Sequence, residues 1–143
     1  MKIAIGNDHA GYEIKMVVLE WLREQGYEIK NYGTDSPDSV DYPDFAHPVA
    51  AAVEKGEFDQ GILICGSGQG VSMTANKHKG IRAVICWIPE IAELARSHNN
   101  ANILCLPGRF VDKQTTIKIL ENYFSTDFEG GRHLTRINKV PVK

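Results

Sequence analysis

Apolar and polar residues follow two different periods along the chain, and the switches between them mark out its elements. Residues 2–6 form a short apolar run that reads as a strand, ending in the polar cluster Asn7-Asp8-His9. Ile14, Val17, Val18, Trp21 and Leu22 then recur at helical spacing until Gly26 stops the pattern. Residues 27–32 alternate as a second strand. The Gly, Asp, Ser and Pro residues of 33–44 predict a surface loop able to cover a site. Pro48 is expected in the first turn of a second helix that runs to about Lys55, ahead of Gly56. The apolar run 62–64 predicts a buried parallel strand, followed after a glycine-rich loop by a helix from near Val71 to about Lys79. Beyond it come a strand over 81–87, a helix over 89–97 and a strand over 102–106. A helix from the capping Asp112 to near Phe124 follows, and a short helix falls within 128–137.

Strands that alternate with helices in this way predict a parallel sheet covered on both faces, linked by right-handed crossovers. The expected fold is a single-domain α/β protein spanning 1–143. It is a three-layer α/β/α sandwich on a five-stranded parallel sheet, of the Rossmann or flavodoxin-like kind. A chain of 143 residues is long enough to bury a full core as one domain. No apolar run is long enough to span a bilayer, so no membrane role is indicated. The first residues enter a strand without the features of a signal peptide, which predicts a cytoplasmic protein. The formal charge of -2, with signs interspersed, gives no electrostatic case for nucleic acid. Cys65, Cys86 and Cys105 have no metal-type spacing and read as reduced thiols, the latter two as core residues.

The stretch 61–76 carries the candidate chemistry. Gly66, Gly68 and Gly70 remove side chains at alternate positions, so the backbone can turn sharply and aim several N–H groups at one place. Cys65 stands at the junction, where free amides and a helix start favour the thiolate, a base or nucleophile. A P-loop is excluded because Val71-Ser72 follows Gly70 where Lys-Ser/Thr is required. A dinucleotide fingerprint is excluded by the glycine spacing and by the absence of a carboxylate about 20 residues on. A cysteine phosphatase would need an arginine where Val71 stands. What remains is a thiol beside an anion hole, which admits acyl transfer or proton abstraction next to a carbonyl. Arg132 and Arg136 share a helix face at i,i+4, and Arg109 follows the fifth strand. With His9 they would suit a phosphate dianion. In a parallel sheet of this kind Asp8-His9 and 65–70 both fall beyond strand carboxyl ends, so one cleft can take residues from both.

The chain resembles the type B ribose-5-phosphate isomerases, in the group that also holds galactose-6-phosphate and allose-6-phosphate isomerases. The matching segments are Gly6-Asn7-Asp8-His9-Ala10-Gly11, Asp41-Tyr42-Pro43, Ile64-Cys65-Gly66-Ser67-Gly68-Gln69-Gly70, Gly80-Ile81-Arg82-Ala83, His98-Asn99-Asn100-Ala101-Asn102 and Glu129-Gly130-Gly131-Arg132-His133. The resemblance implies aldose–ketose isomerisation of a sugar phosphate with no metal and no cofactor. It implies that Cys65 moves a proton between C2 and C1, and that the backbone amides of Gly66, Ser67, Gly68, Gln69 and Gly70 hold the enediolate. Ser67 would shuttle protons between O1 and O2, and His98 with Asp8 would open the furanose ring. Asn99 would bind sugar hydroxyls, His9, Arg109, Arg132 and Arg136 the phosphate, and Tyr42 would wall the sugar site. Members that replace the cysteine use a glutamate in the following helix; this chain is of the cysteine type.

His98 precedes the fifth strand and so falls at the end of the sheet opposite Cys65. The family is dimeric or larger with shared sites, so His98 is expected to serve a partner's Cys65 in a homodimer or homotetramer. The apolar run 86–89 would add interface area, and the tail from about 126 to 143 would pack on the neighbouring subunit. His47, His78 and His133 are expected in surface or capping roles, and Arg82 as structural or paired with an acidic neighbour. Two other functions fit less well. An isomerase of allose or galactose 6-phosphate would need room for one more carbon, and a non-catalytic sugar-phosphate sensor would have no use for Cys65, His98 and Asp8 together.

Overall fold

The computed structural model describes every residue, Met1–Lys143. It contains five strands: β1 (Lys2–Asn7), β2 (Glu28–Asn31), β3 (Gln60–Cys65), β4 (Ala83–Ile85) and β5 (Ile103–Pro107). Six helices accompany them: α1 (Tyr12–Glu24), α2 (Pro43–Glu54), α3 (Gln69–Ala75), α4 (Pro89–Ser97), α5 (Lys113–Ser125) and α6 (Arg132–Ile137). All strand pairs are parallel, in the order β2-β1-β3-β5-β4. This is the three-layer α/β/α sandwich that the alternation of periods predicts.

Strand side chains alternate between two cores. Ile3, Ile5, Ile62, Ile64, Leu104 and Leu106 pack with α1, α4 and α5 on one face. Ala4, Leu63, Cys65, Ile103 and Cys105 pack with α2 and α3 on the other. β3 lies between β1 and β5 under helices on both sides, and all six of its residues are buried. Its unbroken apolar run follows from that position, each fully buried Ile or Leu contributing roughly 1.5–3 kcal/mol. β2 is an edge strand whose Glu28 and Lys30 point to water, which discourages pairing with another chain.

Three expectations are corrected. Pro48 does not begin α2: Pro43 occupies the first turn, and Pro48 sits inside the helix, where its missing N–H leaves the hydrogen-bond ladder one donor short. The fourth strand is shorter than 81–87, because it pairs on one side only and its flanks hold β5 through isolated bonds, Ile103 N–H to Arg82 O and Cys86 N–H to Cys105 O. The third helix starts at Gln69, two residues before Val71, and ends at Ala75 rather than near Lys79. Both bounds of α4 and the cap of α5 are as expected; the Asp112 carboxylate accepts from Thr115 N–H at 2.7 Å. No helix is long and apolar enough to cross a membrane.

Candidate active site

The chain leaves β1 toward β2 on one side of the sheet and leaves β3 toward β5 and β4 on the other, so the order reverses between β1 and β3. A crevice opens there beyond the carboxyl ends of the strands. It is a cleft of about 460 Å³ whose lining includes Asp8, His9, Tyr42, Cys65, Ser67 and Arg109.

Backbone bonds from the strand ends set each of these residues. Asp8 N–H donates to Ile64 O, joining β1 to β3, and the Asp8 carboxylate accepts from Ala10 and Gly11 N–H through one oxygen at 3.0 and 3.1 Å. The second carboxylate oxygen is left for other work. His9 Nδ1 accepts from Val40 N–H at 3.2 Å, which puts the ring proton on Nε2. Cys65 closes β3 with 5% of its surface exposed, and its carbonyl accepts from Gly108 N–H at 2.8 Å. Arg109 N–H donates to Gly66 O at 3.0 Å, so the turn after β5 is laced to the glycine loop, and the guanidinium lies over Gly66, 3.4 Å from where its Cβ would stand.

Two glycines of the loop have separate physical reasons. Gly68 takes φ +75° at the start of α3, a left-handed conformation that side chains resist. Gly70 lies under the Tyr42 ring, where a Cβ would stand 2.5 Å from ring carbons. Gly66, Ser67 and Gly70 line the cleft, whereas Gly68 is buried beneath it and the Gln69 side chain points to water. Ser67 Oγ accepts from Gln69 N–H at 3.3 Å. Met73 and Phe110 also line the cleft and were not anticipated. Met73 could have been found from Gly70 at i,i+3 on the same helix face.

The loop between β2 and α2 brings Val40 and Tyr42 to the site, and a buried lysine anchors its beginning. Lys15 is fully buried, with Nζ 2.6 Å from both Thr34 O and the Asp35 carboxylate. Asn7 Nδ2 donates to Thr34 O and to Asp8 O, so the loop and the end of β1 are held by one amide. Hydrogen bonds from Lys15 and Asn31 hold the Asp35 carboxyl below its ordinary range.

His98, Asn99, Arg132 and Arg136 are absent from this cleft. His98 ends α4, before β5, whose residues Ile103 and Pro107 pair with Gly61 and Cys65; it therefore lies toward the opposite end of the sheet from Cys65. There its ring stacks on that of His133, centroids 4.1 Å apart and planes 13° apart. Glu129 places one oxygen 3.9 Å from His98 Nε2 and the other 3.6 Å from His133 Nε2. His133 is thus buried rather than a surface residue, because the stack covers it. Burial, with His98 and Arg132 nearby, pushes its imidazole below the ordinary value. Two histidines and a carboxylate within 4.8 Å have the composition of a metal site. A metal ion must lie in the plane of each ligating ring, however, and stacked parallel planes share no such point, so this arrangement does not fit one.

The remaining candidates are structural. Burial pushes the Cys86 thiol up to about 12 and raises Cys105 as well, with Cys86 and Cys65 nearby adding to it. Arg82 donates to Asn100 O at 3.0 Å rather than to an acid, and burial and then Arg96 lower its pKa. His47 and His78 meet at the surface, 2.8 Å apart. A larger groove of about 670 Å³ runs between the tail and β4, but it holds no thiol or carboxylate; Asn99 is on its wall.

With that geometry established, the ribose/galactose isomerase family model matches residues 3–140. The chain belongs to this family. Among its family relatives, ribose-5-phosphate isomerase B of Escherichia coli K12 is 44% identical over 139 residues, covering 97% of this chain and 93% of that one. The structure of ribose-5-phosphate isomerase B from Clostridium thermocellum superposes with a TM-score of 0.96 at 47% identity, covering 98% of this chain and 95% of that one. That of the family member from Mycoplasma genitalium, which holds bound ribulose 5-phosphate, gives 0.93 at 45% identity, covering 97% and 93%.

Proposed function

We propose that the chain interconverts ribose 5-phosphate and ribulose 5-phosphate. One observation carries this: a thiol, a carboxylate, a histidine and an arginine converge with a glycine-loop backbone in the cleft at the strand-order reversal, on a fold shared with isomerases of these sugars. The furanose first opens. Its O1–H gives up a proton, the bond from C1 to the ring oxygen breaks, and that oxygen takes up a proton; His98 and Asp8 handle the two transfers. Cys65 then removes the C2 proton, now acidic beside the carbonyl, and returns a proton to C1. Loop amides of 66–70 hold the enediolate oxygens, and Ser67 moves protons between O1 and O2. His9, Arg109, Arg132 and Arg136 bind the phosphate, Asn99 the sugar hydroxyls, and Tyr42 walls the site.

This scheme requires two subunits. His98, Asn99, Arg132 and Arg136 lie away from the cleft of their own chain, so we infer that each cleft receives them from a partner in a homodimer or higher assembly. Trp87 and Ile88, and Val140 and Val142 in the tail, are exposed apolar side chains suited to that contact. A cytoplasmic setting and a tail that packs on the neighbour belong to the same proposal.

The test is conversion of ribose 5-phosphate in the presence of a chelator, beside Cys65→Ala and with allose and galactose 6-phosphates as competing substrates. We expect chelator-resistant turnover that falls by about a thousandfold or more in the variant, in the upper range for loss of a catalytic base. Binding without turnover of any of the three sugars would leave a sensor.

A further inference from the structure

We propose that His133 is a positioning residue for His98, holding the ring-opening imidazole in one orientation through a stacked face and a shared carboxylate, Glu129. This rests on the assignment of ring opening to His98. His98 caps the end of α4, and a side chain at a helix end is free to turn unless something fixes it. The fixing element arrives from 35 residues further on. Glu129 N–H donates to Ser97 O at 3.0 Å, which docks the segment before α6 against the end of α4. His133 then lies flat against His98.

The two rings differ in a way that divides their roles. The His133 side chain is 10% exposed and that of His98 is 39% exposed, so one ring is a backing plate and the other a working face. Each Nε2 lies near its own oxygen of Glu129, at 3.9 and 3.6 Å, a charge contact shared by the two rings. The environment of His133, burial first and then His98 and Arg132 nearby, disfavours its charged form, in keeping with a supporting rather than a proton-carrying ring. Arg132 and Arg136 stand on α6 with His133, so one helix carries the cations proposed for the phosphate and the ring that backs His98.

The test separates ring opening from proton transfer. Ribulose 5-phosphate cannot form a furanose, because its C5 oxygen carries the phosphate; exchange of its C1 proton with deuterated water therefore needs Cys65 but no ring opening. In full-length His133→Ala, conversion of ribose 5-phosphate should slow by about tenfold to a hundredfold, the scale of a misplaced group, while exchange into ribulose 5-phosphate stays within about twofold of wild type. His133→Phe keeps a flat face and should recover most of the conversion. Equal losses in both assays, no loss in either, or no recovery in a folded His133→Phe would overturn the proposal. His98→Ala run alongside tells the two inferences apart: if it converts ribose 5-phosphate normally, the assignment of ring opening to His98 fails, and not only the role of His133.

Discussion

The two ends of the sheet carry chemistry built in different ways. At the carboxyl ends of β1 and β3, backbone bonds between adjacent strands and loops fix Asp8, His9, Cys65 and Arg109, and the cleft is concave within one chain. At the other end, His98, Glu129 and His133 are held by side-chain stacking between two segments near the surface, outside both of the larger cavities. The first is a receptacle lined by a thiol and one carboxylate, Asp8; the second pairs imidazole and carboxylate outside that receptacle. The proposed assembly would join the two, a second chain bringing its cleft to the groups at the other end.

Complementation breaks this comparison most directly. Cys65→Ala and His98→Ala should each be nearly inactive alone. Co-refolded as a mixture they should recover about a quarter of wild-type activity, since half the dimers are mixed and each mixed dimer has one intact site. No recovery would mean that each chain works alone. Within the receptacle, Gly70→Ala should displace Tyr42 and lower kcat/KM by about a hundredfold while the protein stays folded, measured by steady-state kinetics with circular dichroism as control.

Smaller effects concern the anchored loop. Lys15→Met removes a buried ammonium held by two acceptors and should lower stability by about 1–3 kcal/mol in denaturant titration, with KM rising as Val40 and Tyr42 lose their fixed positions. Asp35→Asn, which keeps the loop's shape but removes the charge facing Lys15, should have a smaller effect that is greatest at neutral pH. The folded carboxyl is held below its ordinary 3.8, so its contribution is full above that value and fades as pH falls through the lower folded one. The variant should therefore be less stable than wild type near neutrality, and the difference between the two should shrink as pH falls below about 3.8.

Most of the sandwich was legible because local signals agreed with tertiary ones. Pro89 opening α4 and Asp112 capping α5 are short-range devices, and both elements fall where those residues put them. Pro48 misled because Pro43, the residue that does begin the helix, competes with it. Cys65 and its glycine loop were legible from spacing alone, and the distance of His98 from its own Cys65 followed from chain order. Lys15 was not legible: a lysine among Ile14, Val18 and Leu19 reads as a stem leaving an apolar face, and its partners Thr34 and Asp35 lie about 20 residues on in a loop. His133 was misjudged for the same reason, its burial arising from contact with a ring 35 positions away.

The placement of the three cysteines makes the protein its own counter of working sites. Cys86 and Cys105 are sealed in the two cores, with thiols that resist ionisation, while Cys65 alone reaches the cleft. A thiol reagent small enough to enter should therefore modify one group per folded chain and three per unfolded chain. The ratio of the two readings then reports the fraction of a preparation whose clefts are intact, with no substrate required.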